Sequence, residues 1–329
     1  METLKQTKQH FSKLGLMYFL GSIIIIGIQY LEYFIISNFF PKILDNYTAY
    51  FLILMLSMYA ISMPLMGLLI RTVPKEPSPE KKKMTMGQWI ITFIICYAGM
   101  YLANIFGNII TAIISAVKGS AVSNDFLNIA TSNNVWCNLF IMVLLAPIAE
   151  ELLFRKFLID RTAKYGEGIS VLFSALFFGL LHGNLNQFAY AFVIGGIFAF
   201  IYVKTRNVKY TIFMHMLVNF LGSIASLALL KLSGFSEIMS GADMSQERIM
   251  EITMNHLPGM LLFFLYVFLI IGLVIAGIVL FCVNFKKIHF RKTEYSVPEG
   301  KRFATYFVNI GVLVYTIYWI IRIILQLFS

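Results

Sequence analysis

The sequence predicts an all-α protein, a polytopic transmembrane helical bundle of about nine spans. Of the 329 residues, 59% are hydrophobic and only 13% are charged, and the mean hydropathy is +0.79. A chain of this composition cannot shield its apolar side chains by folding as a water-soluble globule. The apolar residues also form nine runs that are long enough, or nearly so, to cross a hydrocarbon core of about 30 Å.

The nine runs divide the chain into three parts. We predict an N-terminal three-span scaffold over 1–134, a four-span core over 135–232, and an external loop with two C-terminal spans over 233–329. The first run follows a basic start and is too long for a signal-peptide core, so it is expected to be a retained anchor. The predicted spans are 14–38, 50–70, 88–117, 135–157, 169–185, 187–203, 210–230, 258–284 and 303–327.

The basic residues predict the orientation of the bundle. The net charge is +10, and 21 of the 26 Lys and Arg residues lie at or between alternate spans, around residues 5–13, 71–83, 155–164, 204–209 and 286–302. This is the positive-inside pattern of an integral membrane protein with a cytoplasmic N-terminus and an external C-terminus. The pattern leaves no cationic face for nucleic acid. A composition rich in Lys, Ile and Asn suggests a bacterial plasma membrane.

Adjacent carboxylates in the fourth span mark the first candidate site. Glu150, Glu151 and Arg155 close the apolar run that begins near Val135. A charged side chain at mid-membrane costs roughly 2.5–3.5 kcal/mol on insertion scales, so such groups need partners or water. Glu151 and Arg155 are four residues apart and can form an ion pair on one helix face. Glu150 points about 100° away on the helix and is left free. A helix end with charges reaching into interfacial water is the simpler alternative.

Two further polar motifs lie in the predicted core. Phe178 and His182 share a face at the far end of the fifth span, and His215 and Asn219 share a face of the seventh. Each motif alone is weak evidence for a functional site, because His and Asn also serve as packing and hydrogen-bonding residues between membrane helices. Glu150 and His182 both lie sixteen residues from Gly166, the centre of the turn between spans four and five. In an antiparallel hairpin they should therefore lie at equal depth.

The three motifs in this order resemble the CPBP family of intramembrane proteases. Glu-Glu-x-x-x-Arg, Phe-x-x-x-His and His-x-x-x-Asn are all complete here, within about residues 135–232. The family includes type II CAAX prenyl endopeptidases and bacteriocin-processing or self-immunity proteins. The resemblance implies a catalytic set of Glu150, Glu151, Arg155, His182, His215 and Asn219. Family cores are often described with about eight spans, whereas this sequence predicts nine.

The same residues suit peptide hydrolysis, which needs a base for water and donors for the oxyanion. Glu150 is the expected base and could hold the water jointly with His182. His215 and Asn219 offer an imidazole and an amide donor, and Glu151 with Arg155 would orient the site. We expect cleavage near the cytoplasmic side of the membrane. A zinc ion on Glu150, His182 and His215 remains open, although we favour a metal-independent water because no His-Glu-x-x-His motif is present.

Other functions remain open at this point. A bacteriocin immunity protein could use the same residues to bind a peptide without cleaving it. A proton-coupled transporter could use them as a relay, but it would favour internal repeats that are not evident here. The expected partners are the lipid bilayer and a peptide or membrane-protein substrate whose identity the sequence does not reveal.

Overall fold

The structure is a computed structural model that describes residues 3–76, 80–122, 134–240, 244–293 and 295–328. Within these ranges all regular elements are helical, which confirms the predicted class. Eight helices are long and apolar enough to cross a membrane, and one further apolar helix has 15 residues. The prediction of about nine spans is thus confirmed. The helices are α1 Leu4–Phe39, α2 Tyr47–Arg71, α3 Met86–Lys118, α4 Val135–Tyr165, α5 Glu167–Leu181, α6 Leu185–Thr205, α7 Val208–Leu232, α8 Leu257–Lys287 and α9 Ile310–Phe328.

Helix ends follow local sequence signals. Thr3 caps α1 and Thr85 caps α3, each in a capping box with the glutamine three residues later. The turn between α4 and α5 is centred on Gly166, as predicted, and its φ of 122° lies in a region that residues with a Cβ rarely adopt. Helix α5 rises only about 22 Å at 1.5 Å per residue, so it is too short to cross the hydrocarbon core upright.

Four widened, π-helical segments interrupt the long helices. They are Met58–Ser62 in α2, Leu139–Leu145 and Leu152–Phe157 in α4, and Phe220–Ala225 in α7. A widened turn disturbs the regular i to i−4 bonds, and in a membrane other groups must satisfy the backbone. Side chains of neighbouring helices donate to carbonyls in three of the segments: Asn219 Nδ2 to Met142 O at 2.8 Å, Tyr18 Oη to Leu153 O at 2.7 Å, Ser174 Oγ to Phe154 O at 2.8 Å and Tyr266 Oη to Leu221 O at 2.7 Å.

Helix α5 lies at the centre of the bundle. Gly195 of α6 lets that helix approach closely, since a Cβ there would meet Phe178 Cδ1 at 3.0 Å and Ala175 Cα at 3.3 Å. Tyr315 of α9 donates a 2.7 Å hydrogen bond to the carbonyl of Phe177 and stacks on its ring. Lipid is as apolar as these side chains, so close packing rather than the hydrophobic effect favours this association.

The basic segments meet at one end of the bundle, which we call the basic end. Lys13 of α1 donates to Thr72 O at 3.0 Å, and the amide of Lys82 donates to Thr205 O at 2.8 Å. Glu167 at the start of α5 pairs with Lys204 and accepts from the amide of Arg291 at 2.9 Å. The opposite end holds the C-terminus of α3, where Lys118 reaches the carbonyl of Leu327.

Candidate active site

A cavity of about 530 Å³ lies among α2, α3, α4, α7 and the turn between α5 and α6. Four of the six predicted site residues line it: Glu150, His182, His215 and Asn219. The other two, Glu151 and Arg155, lie behind the cavity wall with side chains that are 0% exposed. The fold therefore brings the three motifs together around one space.

Glu151 is held by two partners. Its Oε2 lies 3.0 Å from Arg155 Nε, so the predicted i, i+4 ion pair is present. Its Oε1 lies 3.1 Å from His215 Nδ1. Arg155 also donates to Ser174 Oγ at 3.2 Å, and its guanidinium lies 4.4 Å from the centre of the Phe178 ring. Such contacts offset part of the cost of a charged pair buried at this depth.

Glu150 has a different environment from its neighbour. Its nearest cationic candidate is His215, whose Nε2 lies 3.8 Å from Glu150 Oε2. The hydroxyl of Tyr59 on α2 donates to Glu150 Oε1 at 3.4 Å. Because Arg155 is committed to Glu151, the Glu150 carboxyl group faces the cavity without a guanidinium partner. The sequence-based expectation that Glu150 lies outside the Glu151–Arg155 ion pair agrees with this geometry.

The contacts of the two histidines indicate where their protons lie. His182 Nδ1 is 2.9 Å from the carbonyl oxygen of Phe178, which can only accept, so we assign the proton to Nδ1. His215 Nδ1 lies beside the carboxylate of Glu151, and the same argument applies. In the neutral tautomers both Nε2 atoms are then acceptors. His215 can serve as the predicted oxyanion donor only when it carries a second proton.

Asn219 combines a structural contact with a place in the cavity. One N–H of its amide donates to Met142 O in the widened segment of α4. An amide carries two donors, so a second N–H remains for a bound group. The structural contact was not evident from the His-x-x-x-Asn spacing, because Met142 is 77 residues away along the chain.

The cavity also contains residues that the sequence did not single out. Tyr59 of α2 and Tyr101, Asn104 and Asn108 of α3 line it, although both helices were expected to be scaffold. The α5–α6 turn and the start of α6 add Asn186, Gln187 and Tyr190. Tyrosine and asparagine are common in membrane helices, so no periodicity or charge anomaly distinguishes these residues in the sequence.

The possible zinc ligands do not form a compact set. Glu150, His182 and His215 have suitable donor atoms and line one cavity. Within the described part of the chain, however, no three His, Cys, Asp or Glu side chains are grouped closely enough to hold a metal ion. We therefore derive no catalytic step through a metal at this arrangement.

Comparison with known proteins places the same segment in a family context. Residues 132–221 match the family described as type II CAAX prenyl endopeptidase Rce1-like. The resemblance to the CPBP family is confirmed. A Bacillus subtilis (strain 168) protein named "Putative membrane peptidase YdiL" is 29% identical in an alignment over 160 residues that covers 46% of this chain and 62% of that protein. No solved structure gives a significant match. The CPBP-like segment contains all six predicted site residues, whereas Tyr59, Tyr101, Asn104 and Asn108 lie outside it.

Proposed function

We propose that the protein is an intramembrane endopeptidase of the CPBP type, acting on a peptide or membrane-protein substrate. The observation that carries this proposal is the contrast between the two adjacent carboxylates. Glu151 is fixed by Arg155 and His215, whereas Glu150 faces a cavity without a guanidinium partner. A carboxylate outside an ion pair can take a proton from water, and neighbouring donor and acceptor side chains can position that water.

The proposed reaction begins with a water molecule between Glu150 and His182. Glu150 takes one proton of the water, while the Nε2 lone pair of His182 accepts the other in a hydrogen bond. The water oxygen forms a bond with the scissile carbonyl carbon, and the carbonyl electron pair moves to its oxygen. As the tetrahedral intermediate collapses, the C–N bond breaks and Glu150 returns the proton to the leaving nitrogen.

The oxyanion would be stabilised from α7. The free amide N–H of Asn219 is one donor, and His215 adds an Nε2–H when it is doubly protonated. Glu151 orients His215 through the Nδ1 contact at 3.1 Å, and Arg155 balances the charge of Glu151. These roles keep Glu151 and Arg155 away from the reacting atoms.

The family match and the named relative support peptide hydrolysis as the general activity. A metal-independent glutamate mechanism is our preferred subtype, because the proposed steps use only side chains that line or adjoin the cavity. The sequence predicts cleavage near the cytoplasmic side, which the positive-inside pattern assigns to the basic end. The cavity, however, extends away from the basic end.

The experiment is hydrolysis of a broad library of fluorogenic peptides by the purified protein in lipid nanodiscs. A matched Glu150→Gln protein, prepared in the same way, controls for contaminating peptidases. Cleavage by wild type and not by Glu150→Gln is the expected result. Peptide binding without cleavage by wild type would contradict the proposal and favour a binding or immunity role.

A further inference from the structure

The cavity extends in one direction along the bundle axis. Helix α4 begins at Val135, away from the basic end, and its lining residues Ile141, Met142, Ala146 and Glu150 all lie in the half next to that start. On α6, which ends at the basic end, the lining residues lie between Asn186 and Ile194, in the first half. The cavity thus runs from mid-depth toward the end without the basic segments.

The two ends of the cavity differ in the side chains that line them. Toward the basic end the site is closed by fully buried side chains, namely Phe154, Arg155 and Phe198. In the other direction the walls carry amides, and Asn108 is exposed and donates to Asn104 at 2.9 Å. Water and a polar peptide backbone can therefore approach Glu150 at low desolvation cost from the amide-lined side, but not from the basic end.

We propose that the site is reached from the external side of the membrane. The positive-inside pattern assigns the basic end to the cytoplasm, so the amide-lined part of the cavity faces outward. If the proposed function holds, the substrate class is a peptide segment on the external side of the membrane. Glu150 is the one acidic residue and no Lys or Arg is present among the described residues that line the cavity, so the segment should be uncharged near its scissile bond.

The test uses cysteine labelling and needs no enzymatic activity. Gly222 lines the cavity on α7, and a Cβ at this position would meet no atom within 4 Å, so Gly222→Cys should be tolerated. Lys75→Cys, at an exposed position of the basic end, is the control for the cytoplasmic side. Both are made in a background in which Cys96, Cys137 and Cys282 are replaced by alanine.

We expect a membrane-impermeant sulfonated maleimide to label Gly222→Cys on intact cells and Lys75→Cys only in inverted vesicles. Asn108→Cys, at the exposed rim, should behave like Gly222→Cys. Labelling of the cavity cysteines only in inverted vesicles would overturn the proposal, and so would labelling of Lys75→Cys on intact cells. Failure of both cavity cysteines to react from either side in folded protein would also overturn it. None of these outcomes depends on whether the protein cleaves peptides.

The position of Tyr59 supports a second inference, which rests on the proposed function. Tyr59 lies in the widened segment Met58–Ser62 of α2 and lines the cavity. Its hydroxyl is 3.4 Å from Glu150 Oε1, and the other carboxyl oxygen lies 3.8 Å from His215 Nε2. Each oxygen of Glu150 thus has a different neighbour. The 3.4 Å separation is longer than the usual 2.7–2.8 Å or so, as is common for catalytic hydrogen bonds without substrate.

We infer that Tyr59 is a positioning residue for Glu150. An ionised carboxylate only accepts hydrogen bonds, so the tyrosine hydroxyl is the donor. A donor on one oxygen fixes the plane of the carboxyl group and leaves the second oxygen to take the proton of the water. The first three spans would then supply a part of the site that lies outside the family match.

The variant is Tyr59→Phe, which removes the hydroxyl and keeps the ring. Tyr50→Phe is the matched control, because Tyr50 lies on the same helix as Tyr59 and does not line the cavity. We expect kcat of Tyr59→Phe to fall by at least about tenfold with KM and Tm nearly unchanged, as for an interaction made mainly in the transition state. Tyr50→Phe should keep kcat near that of wild type. Equal kcat values for the two variants would contradict the positioning role.

A second measurement is independent of activity. The infrared difference spectrum between a protein and the same protein with Glu150→Gln contains the carboxyl band of Glu150. Loss of a hydrogen bond to Glu150 should shift the frequency of this band. We expect a shift in Tyr59→Phe and none in Tyr50→Phe. An unshifted band in Tyr59→Phe would overturn the inference even if the proposed peptidase activity is absent. A lower Tm for Tyr59→Phe together with an unshifted band would indicate a purely structural residue.

Discussion

His215 Nδ1 lies 3.1 Å from Glu151 Oε1, and this contact joins two motifs that are 64 residues apart in the chain. It makes Glu151 a bridge between Arg155 on its own helix and the imidazole of α7. The opposite side of the same imidazole approaches Glu150. One histidine therefore approaches the two adjacent glutamates through different nitrogen atoms, and the two carboxyl groups have different surroundings.

Replacement of Glu150 by glutamine should abolish cleavage with little loss of stability. The substitution keeps the shape of the side chain and its contact with Tyr59, but removes the base. Loss of a general base costs on the order of 10²–10⁴-fold in rate. We would measure kcat on a responsive peptide and Tm by thermal unfolding in the same detergent. A variant that keeps more than a few per cent of wild-type turnover would show that Glu150 is not the base.

Arg155→Ala should reduce both activity and the amount of folded protein. It leaves Glu151 buried without its guanidinium partner and removes the contact with the Phe178 ring. Breaking a buried pair in this way costs about 3–5 kcal/mol in soluble proteins. Fluorescence size-exclusion chromatography after heating would report the folded fraction. A double variant, Glu151→Gln with Arg155→Ala, should recover part of the stability, and an inactive but fully stable Arg155→Ala protein would contradict the ion-pair role.

Asn219→Ala should lower turnover on the order of 10²-fold or more, as the loss of an oxyanion donor does elsewhere. It should also lower Tm, because the carbonyl of Met142 loses its side-chain donor. Ser174→Ala is a useful comparison, since Ser174 likewise donates to a carbonyl of a widened α4 segment but does not line the cavity. We expect Ser174→Ala to lower Tm and to leave the turnover of the folded protein within a few-fold of wild type. Equal losses of turnover in both variants would remove the case for a catalytic Asn219.

Chelation tests the metal-independent mechanism. We expect protein purified without added metal to stay active after exhaustive dialysis against 1,10-phenanthroline. The zinc content should be measured by elemental analysis on the same sample. About one equivalent of zinc in active protein, together with activity restored only by zinc after chelation, would assign His182 and His215 as metal ligands instead.

Much of this protein can be predicted from local sequence features. Hydropathy reports whether a segment enters lipid, so composition and run length were enough for the helical bundle and its approximate span count. The three motifs identified the six candidate residues, and the spacing of Glu151 and Arg155 was enough for their ion pair, because both lie on one helix. The turn at Gly166 was also evident, since two apolar runs meet there.

Contacts between helices were decided only by the tertiary structure. Whether Tyr59 faces Glu150, or Asn219 reaches Met142, depends on the rotation and depth of helices that are far apart in sequence, and hydropathy carries no information on either. The widened segments change those rotations further, since an added residue in one turn shifts each later side chain around the helix. The sequence-based expectation of cleavage near the cytoplasmic side likewise took no account of the cavity. The direction of the cavity depends on which halves of α2, α3, α4, α6 and α7 leave space between them.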